Sequence, residues 1–334
     1  MKIYTIKDIA LKAGVSVTTV SRVLNHRPDV NKTTRERVER VMAECHFVGN
    51  ANARGLKQPD NDVVAVILRG RQNPFLNALA ESISKYGLET QVSLLIEFID
   101  EKDDEFQTAL RLSHEKRVKG FIFVGSRIDQ RSHGLAALDI PIVFATAAVG
   151  HETLPRASAV AIDDREMARQ AVKHLLDCGH ERIAIFGASR EEGDHLFLRY
   201  CGALDAFHEK GLTFDETRYV ETRFSMDGAY ACAMDFFARK PETTAVFCMS
   251  DSVAMGVIRA LKDLGKDVPD DVSVFGFDGT EAGKFFIPRL STVEQPVDAI
   301  AHESVQVLMD MLQNDAPPSN VVLNAALHLR ESVR

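Results

Sequence analysis

Thr5-Ile6-Lys7-Asp8-Ile9-Ala10-Leu11-Lys12-Ala13-Gly14-Val15-Ser16-Val17-Thr18-Thr19-Val20-Ser21-Arg22-Val23-Leu24-Asn25 is the stretch on which the reading of this chain turns. Thr5 followed three residues later by Asp8 fits a helix-starting capping box. Ile6, Ile9, Ala10 and Ala13 then recur at helical spacing, and Gly14 ends the helix. Ser16 caps a second helix that runs to about Asn25. Arg27-Pro28-Asp29 breaks the pattern, and a third helix begins near Asn31 to Thr34, with Val38, Val41, Met42 and Cys45 on its apolar side.

Helix, glycine turn, helix at this spacing is a helix-turn-helix signature. On the second helix Val20, Val23 and Leu24 form an apolar stripe, and Val17, Thr18, Ser21, Arg22 and Asn25 lie opposite. That opposite face suits a major-groove reader. Arg22 can donate two hydrogen bonds to guanine O6 and N7, and the methyl groups of Val17 and Thr18 can touch thymine methyls. The Ser16 and Thr19 hydroxyls, with the backbone N–H groups at the helix start, suit phosphates. Spacing alone leaves a second reading open, a three-helix bundle with a polar outer face.

Charge is distributed unevenly. Residues 1–58 carry a net charge of +6 and the remainder −14, within a whole-chain value of −8. A basic head on an acidic body is the asymmetry of a DNA-binding module joined to a sensor. The 334 residues suit two or three domains, and 45% hydrophobic with 26% charged residues is a soluble globular composition. No apolar run approaches the length of a membrane span, and Met1 to Asp8 lack the apolar core of a signal peptide, so a cytoplasmic location is expected. Cys45, Cys178, Cys201, Cys232 and Cys248 are scattered, with no C-x-x-C; they are expected to be small buried hydrophobes, with no disulfide and no metal.

Residues 57–62 are polar, contain Pro59 and read as a linker. Beyond them, short apolar runs at Val63–Leu68, Val92–Glu97, Gly120–Val124, Ile140–Phe144, Ala159–Ile162, Arg182–Phe186, Thr244–Met249 and Val272–Phe277 mostly alternate with amphipathic stretches such as Phe75–Tyr86, Arg165–Cys178 and Val297–Leu312. That pattern predicts βαβ units and parallel sheets. About 270 residues is long for one doubly wound sheet, so two similar lobes with a cleft between them are expected. The chain shows no G-x-G-x-x-G, Walker A, H-E-x-x-H or G-x-S-x-G pattern, which removes the key feature of a nicotinamide-dependent enzyme and predicts no cofactor and no catalysis. His174 and His180 are expected at the surface or at caps. A free transport-binding protein would carry a signal peptide and no basic head.

The head resembles that of the lactose/galactose repressor (LacI/GalR) family, over Ile6–Ala10 and Ala13–Asn25. The likeness continues through Thr34-Arg35-Glu36-Arg37-Val38, His46-Phe47, Asn50, Ala53-Arg54 and Leu56. The resemblance implies a DNA-binding repressor regulated by a small effector, with DNA contacts from Thr5, Ser16, Val17, Thr18, Thr19, Ser21, Arg22, Asn25, Asn50, Ala53 and Leu56. It divides the chain into a head (1–46), a hinge helix and linker (47–62) and a core (63–334). The hinge is expected to fold only on DNA, with Leu56 as a wedge pushed into a central base step; without such a head Leu56 would be an ordinary linker leucine. Where the family usually has proline before the hinge asparagine, this chain has Gly49, which frees the backbone and predicts a costlier hinge transition.

The body is similar to periplasmic-type sugar-binding proteins through Asn73-Pro74-Phe75, Asp163-Asp164, Gly179–Ala184, Ser250-Asp251, Met255-Gly256, Gly276-Phe277-Asp278, Leu290-Ser291-Thr292-Val293 and Leu329-Arg330-Glu331-Ser332. The expected fold is therefore α/β, a helix-turn-helix head plus a two-lobed periplasmic-binding-protein-like core of doubly wound parallel sheets. Lobe 1 is expected at about 63–161 plus 293–322, and lobe 2 at about 162–292 plus 323–334. The resemblance points to Asn73, Phe75, Asp164, His195, Arg199, Phe224, Ser250, Asp251 and Asp278 as effector-binding residues. Phe75 and Phe224 also read as core aromatics, and Asp164 and Asp251 as helix N-caps. The loop Arg69-Gly70-Arg71-Gln72 replaces an acidic residue common in the family; its arginines favour an anionic ligand such as a sugar acid or sugar phosphate, or are solvated, or pair with the acidic body. Two chains are expected to pair as a homodimer on a near-palindromic operator in double-stranded DNA, with effector weakening operator binding; a corepressor is the alternative sign. The ending at Arg334, without a heptad tail, favours a dimer over a tetramer.

Overall fold

The computed structural model describes residues 6–24, 30–44, 63–90, 92–128, 130–147, 154–188, 190 and 195–334. The chain divides into two compact units between Asn61 and Asp62.

The first unit holds α1 (Ile6–Ala13), α2 (Val17–Leu24) and α3 (Lys32–Glu44). Ile9, Ala10 and Ala13 of α1, Val20 and Val23 of α2 and Val38 of α3 form its buried core. Gly14 closes α1 in the left-handed conformation, φ +63°. The N–H of Gly14 bonds the Leu11 carbonyl and that of Val15 the Ala10 carbonyl, satisfying the last carbonyls of the helix. The turn then delivers Ser16, whose Oγ accepts the Thr19 N–H at 3.1 Å and so caps α2. Asn31 caps α3 in the same way, accepting the Thr34 N–H at 2.8 Å. The expected cap at Thr5 lies outside the described residues.

The second unit contains two six-stranded sheets. The first has the order β2-β1-β3-β4-β5-β11, formed by β1 (Val63–Arg69), β2 (Ser93–Ile99), β3 (Val118–Val124), β4 (Ile142–Ala145), β5 (Ala157–Ile162) and β11 (Asn320–Leu323). All its pairings are parallel. The second has the order β7-β6-β8-β9-β10-β12, formed by β6 (Ile183–Gly187), β7 (Tyr219–Glu221), β8 (Ala245–Cys248), β9 (Ser273–Asp278), β10 (Ser291–Glu294) and β12 (Ala326–His328). It is parallel except for the β10–β12 pair. The central strands are buried on both faces, as their unbroken apolar runs require.

Helices cover both faces of each sheet. In lobe 1, α4 (Pro74–Glu89) and α11 (Val297–Gln313) pack together over one face, and α5 (Glu105–Glu115) with the 3-10 segment Gln130–Leu138 covers the other. In lobe 2, α6 (Asp164–Asp177) and α7 (His195–Glu209) take one face, α8 (Met226–Arg239) and α9 (Asp251–Asp263) the other. A short α10 (Glu281–Phe285) follows β9. Gly202 on α7 sits so near α6 that a Cβ there would lie 1.9 Å from the Arg165 carbonyl oxygen. This close approach brings the start of α6 to α7, where Arg199 lies.

The chain crosses between the lobes after β5, after β10 and between β11 and β12. β10 belongs wholly to lobe 2 and β11 wholly to lobe 1, so the crossings fall one or two residues beyond the expected 161/162, 292/293 and 322/323 junctions. Several expectations are corrected. The strand expected at Val92–Glu97 is Ser93–Ile99, and α5, α10, β7, β10, β11 and β12 add to the elements expected from the pattern. Among the described cysteines only Cys248 is buried; Cys178 is exposed and Cys201 and Cys232 are half-buried. His180 is buried, not a surface group, with its ring nitrogens 3.2 Å from Thr244 Oγ1 and 3.0 Å from Ser273 Oγ. No helix among the described residues is long and apolar enough to cross a membrane.

Candidate nucleic-acid interface and effector cleft

The helix-turn-helix orients α2 by burying Val20 and Val23, which turns Val17, Thr18 and Arg22 outward. Ser16 is exposed beside them, and its hydroxyl lies 2.9 Å from that of half-buried Thr19. The exposed face thus carries a guanidinium and hydroxyls that can hydrogen-bond base edges and phosphates, and methyl groups that can make apolar contact with thymine, at the start of a helix. Thr5, Asn25, Asn50, Ala53, Leu56 and the side chain of Ser21 lie outside the described residues, and so does the hinge with Gly49.

In the second unit a cavity of about 630 Å³ opens where the carboxyl ends of both sheets meet, where open α/β sheets bind ligands. Asn73, Phe75, Arg199, Phe224 and Asp278 all line it. Asn73 caps α4 by accepting the Phe75 N–H at 2.9 Å, and Pro74 occupies the first turn, which fixes Phe75 at the cavity wall. Phe75 also belongs to the lobe 1 core, and half-buried Phe224 packs on both cores of lobe 2. The two readings of these aromatics, core and cavity wall, hold together.

Arg199 is almost fully buried. Its Nε donates to Asp164 Oδ1 at 2.7 Å and its Nη1 to the Met249 carbonyl at 2.6 Å, while the guanidinium lies 3.6 Å from the centre of the Phe277 ring. These contacts hold the planar fork rigid, with its remaining N–H groups at the cleft. Asp164 therefore acts one step behind the cavity wall. It does not cap α6 either: Asp163 does, accepting the Glu166 N–H at 2.9 Å. Similarly Ser250, not Asp251, caps α9. Asp251 accepts from the Thr280 N–H and hydroxyl at 2.7 and 2.9 Å and from the Thr292 hydroxyl at 2.6 Å, and neither it nor Ser250 lines the cavity. The side chain of His195 lies outside the described residues.

Asp278 ends β9 with φ +116°, and Thr146 follows β4, the equivalent strand of lobe 1, with φ +82°. Such a backbone costs a non-glycine residue about 1–3 kcal/mol and is retained where the surroundings and the function demand it. Both side chains are buried, and both line the cavity. Asp278 Oδ2 and Thr146 Oγ1 have no hydrogen-bond partner among the described residues. Asp278 Oδ1 accepts from Gln295 Nε2 at 2.9 Å, and Gln295 directly follows β10, where the chain crosses to lobe 1. A group that bonds Asp278 thus acts one residue contact away from a crossing.

Burial pushes the Asp278 carboxyl up to about 7, against the opposing pull of Arg199 and with added repulsion from Asp251. Asp251 is likewise raised by burial, to about 6. A carboxyl raised in the folded state contributes stability that is full below its unfolded value near 4 and is lost as pH rises through its folded value. Asp278→Asn should therefore flatten the fall in core stability between about pH 4 and 7, read as denaturation midpoints across that range without ligand. Asp251 should leave a residual slope. An unchanged slope would mean that Asp278 does not carry the proton.

Residues that sequence reasoning missed close the mouth. Arg223, just beyond β7, pairs with Asp100 at 3.1 Å and with Glu101, both just beyond β2 of the other lobe. Arg69, one of the two loop arginines named from the sequence, also donates to the Glu101 carbonyl. The signal available was positional, since each lies within a few residues of a strand's carboxyl end.

Residues 5–50 match the model for "bacterial regulatory proteins, lacI family", and residues 172–333 match that for a periplasmic binding protein-like domain. The chain is 30% identical over 336 residues to the HTH-type transcriptional regulator MalR of Clostridium butyricum, covering 98% of each. Among solved structures it is similar to the transcriptional regulator CelR in complex with cellobiose, with TM-score 0.73, 26% identity and coverage of 98% of this chain and 99% of that one. It is also similar to the Lac repressor dimer bound to operator and the anti-inducer ONPF, with TM-score 0.72, 25% identity and coverage of 99% of each chain. The capped helix-turn-helix, the two-lobed core and these full-length likenesses place the chain in the lacI family of bacterial regulatory proteins, as a DNA-binding transcriptional regulator.

Proposed function

We propose that this regulator is a repressor whose operator affinity is controlled by a small sugar or sugar derivative bound between the lobes. The observation that carries the reading is the outward face of α2, with Arg22, Val17 and Thr18 exposed on a helix that Val20 and Val23 anchor. Two chains act as a homodimer in the cytoplasm, so that two heads address the halves of a near-palindrome. The cleft serves binding, not catalysis. Its aromatic walls accept the C–H faces of a sugar, Arg199 donates to its hydroxyl oxygens and Asp278 accepts from its hydroxyls. Effector closes the lobes into a form whose hinge starts no longer match the operator spacing, and it shifts the two forms only by its differential affinity for them. The sign is inducer-like: added effector weakens operator binding.

Selection from a random duplex library, with purified protein and no ligand, tests this. A near-palindrome should emerge. Arg22→Ala should lose one base preference per half-site, at a cost of about 1–3 kcal/mol. Uniform weakening across all sequences would make Arg22 a phosphate contact. No enrichment, with or without added cell metabolites, would leave a sugar sensor without a DNA role. Tighter operator binding on adding effector would reverse the sign.

A further inference from the structure

At the mouth of the cleft two of the lining cations stand outside its ion pairs. Arg199 is held by Asp164, and Arg223 by Asp100 and Glu101, so these cations are already balanced. Arg71, in the loop after β1, and Lys102, just beyond β2, also line the cavity. Both belong to lobe 1 and both are exposed. Among the described residues neither side chain has a carboxylate within ion-pair distance, and Arg71 acts on Asp100 only through its field, as one of the charges that lower the Asp100 carboxyl. The acids nearest in sequence, Asp100 and Glu101, are turned across the cleft to Arg223. The acid left on the opposite wall is Glu221, on lobe 2. The deep end has a different character: the buried unpartnered oxygens of Asp278 and Thr146 and the walls of Phe75 and Phe224 suit hydroxyl groups and C–H faces.

We propose, resting on the reading of this cleft as the effector site, that the effector is an anionic sugar derivative. Its hydroxylated body lies between Phe75 and Phe224, and its carboxylate or phosphate group lies at Arg71 and Lys102. An arginine fork matches either anion with two parallel hydrogen bonds, and the lysine adds a point charge. The two cations come from separate loops of one lobe, so the anion binds lobe 1 while the hydroxyls reach Asp278 of lobe 2. A neutral sugar would leave both cations without an anion in direct contact when the cleft closes over it, which costs more as water is excluded.

Inorganic phosphate and sulfate test the charge without a known effector. The full chain and the Arg71→Ala/Lys102→Ala variant are titrated at constant ionic strength made up with chloride, and the thermal midpoint of the core is read. Both positions are exposed, so the midpoint without anion checks that the variant folds. The wild type should be stabilised by millimolar anion and the variant much less. Matched sugars then define the class: glucose against glucuronate and glucose 6-phosphate, and ribose against ribose 5-phosphate. The anionic members should bind about tenfold or more tightly than their neutral parents, and Arg71→Ala should erase that preference. Uronate and phosphate arms show which anion fits. Equal responses of wild type and variant to inorganic anions, or neutral parents binding as tightly as their anions, would overturn the proposal. Operator selection reads the head alone, so either of those results beside intact operator binding would leave the repressor reading standing.

Discussion

Arg199→Ala should be the most damaging single change in the core. It leaves Asp164 buried without the cation that faces it and takes the nearest positive charge from Asp278. Removing one partner of a buried pair costs about 3–5 kcal/mol, because the remaining charge stays desolvated. The denaturation midpoint of the core should fall accordingly, and operator release by effector should be lost. Arg199→Lys should rescue little, since an ammonium cannot serve Asp164 and the Met249 carbonyl with one rigid plane. A double variant, Arg199→Met with Asp164→Leu, separates stability from recognition. It should recover much of the midpoint, because an apolar pair of similar volume avoids the desolvation, yet remain unresponsive to effector. An Arg199→Ala protein of near-normal stability that still responds to effector would show that the guanidinium is not the anchor.

Operator binding should show the second large effect, through salt. The head region is strongly basic on an acidic body. Counterion release makes the logarithm of affinity fall linearly with that of salt, and a protein neutralising six to ten phosphates loses about 10³–10⁵ in affinity between 50 and 200 mM. A dimer presenting two such heads should fall in that range, measured by binding to the selected operator across a salt series. Arg22→Ala should weaken binding without changing the slope if its side chain reads a base, and reduce the slope by about 1 if it neutralises a phosphate. An affinity indifferent to salt would contradict phosphate contacts by Ser16, Thr19 and the helix start.

The parts legible from sequence were those with local physical causes. Val63–Leu68 declares a doubly buried strand by its unbroken apolar run, and Gly14 with Ser16 declares the turn of the head. Arg199, Phe75, Phe224 and Asp278 were reached through a resemblance, and all line the cleft. What stayed hidden depends on distant parts meeting. Asp163 and Asp164 are adjacent identical residues, and only the position of Arg199 on a neighbouring helix decides which caps and which pairs. Asp100, Glu101 and Arg223 are separated by more than a hundred residues, and their pairing needs both lobes in place. β7 and β12 are three-residue strands, too short to leave a periodic trace.

The crossings between the lobes also set the order in which the chain can be completed during synthesis. The segment from β6 to β10 is contiguous, whereas lobe 1 waits for α11, which covers the face formed by Val64, Val66, Leu68, Ile122, Val124 and Val143. On the ribosome the part of that apolar face not under α4, together with the side of α4 that α11 later packs on, stays uncovered while nearly all of lobe 2 is translated. Chains that emerge with such surface exposed are those that aggregate or engage chaperones. Lobe 1, begun first, thus lacks α11 and β11 until lobe 2 is all but complete, and a nascent chain stalled before Val297 would hold a lobe 2 that lacks only β12 and the residues after it, beside a half-built partner.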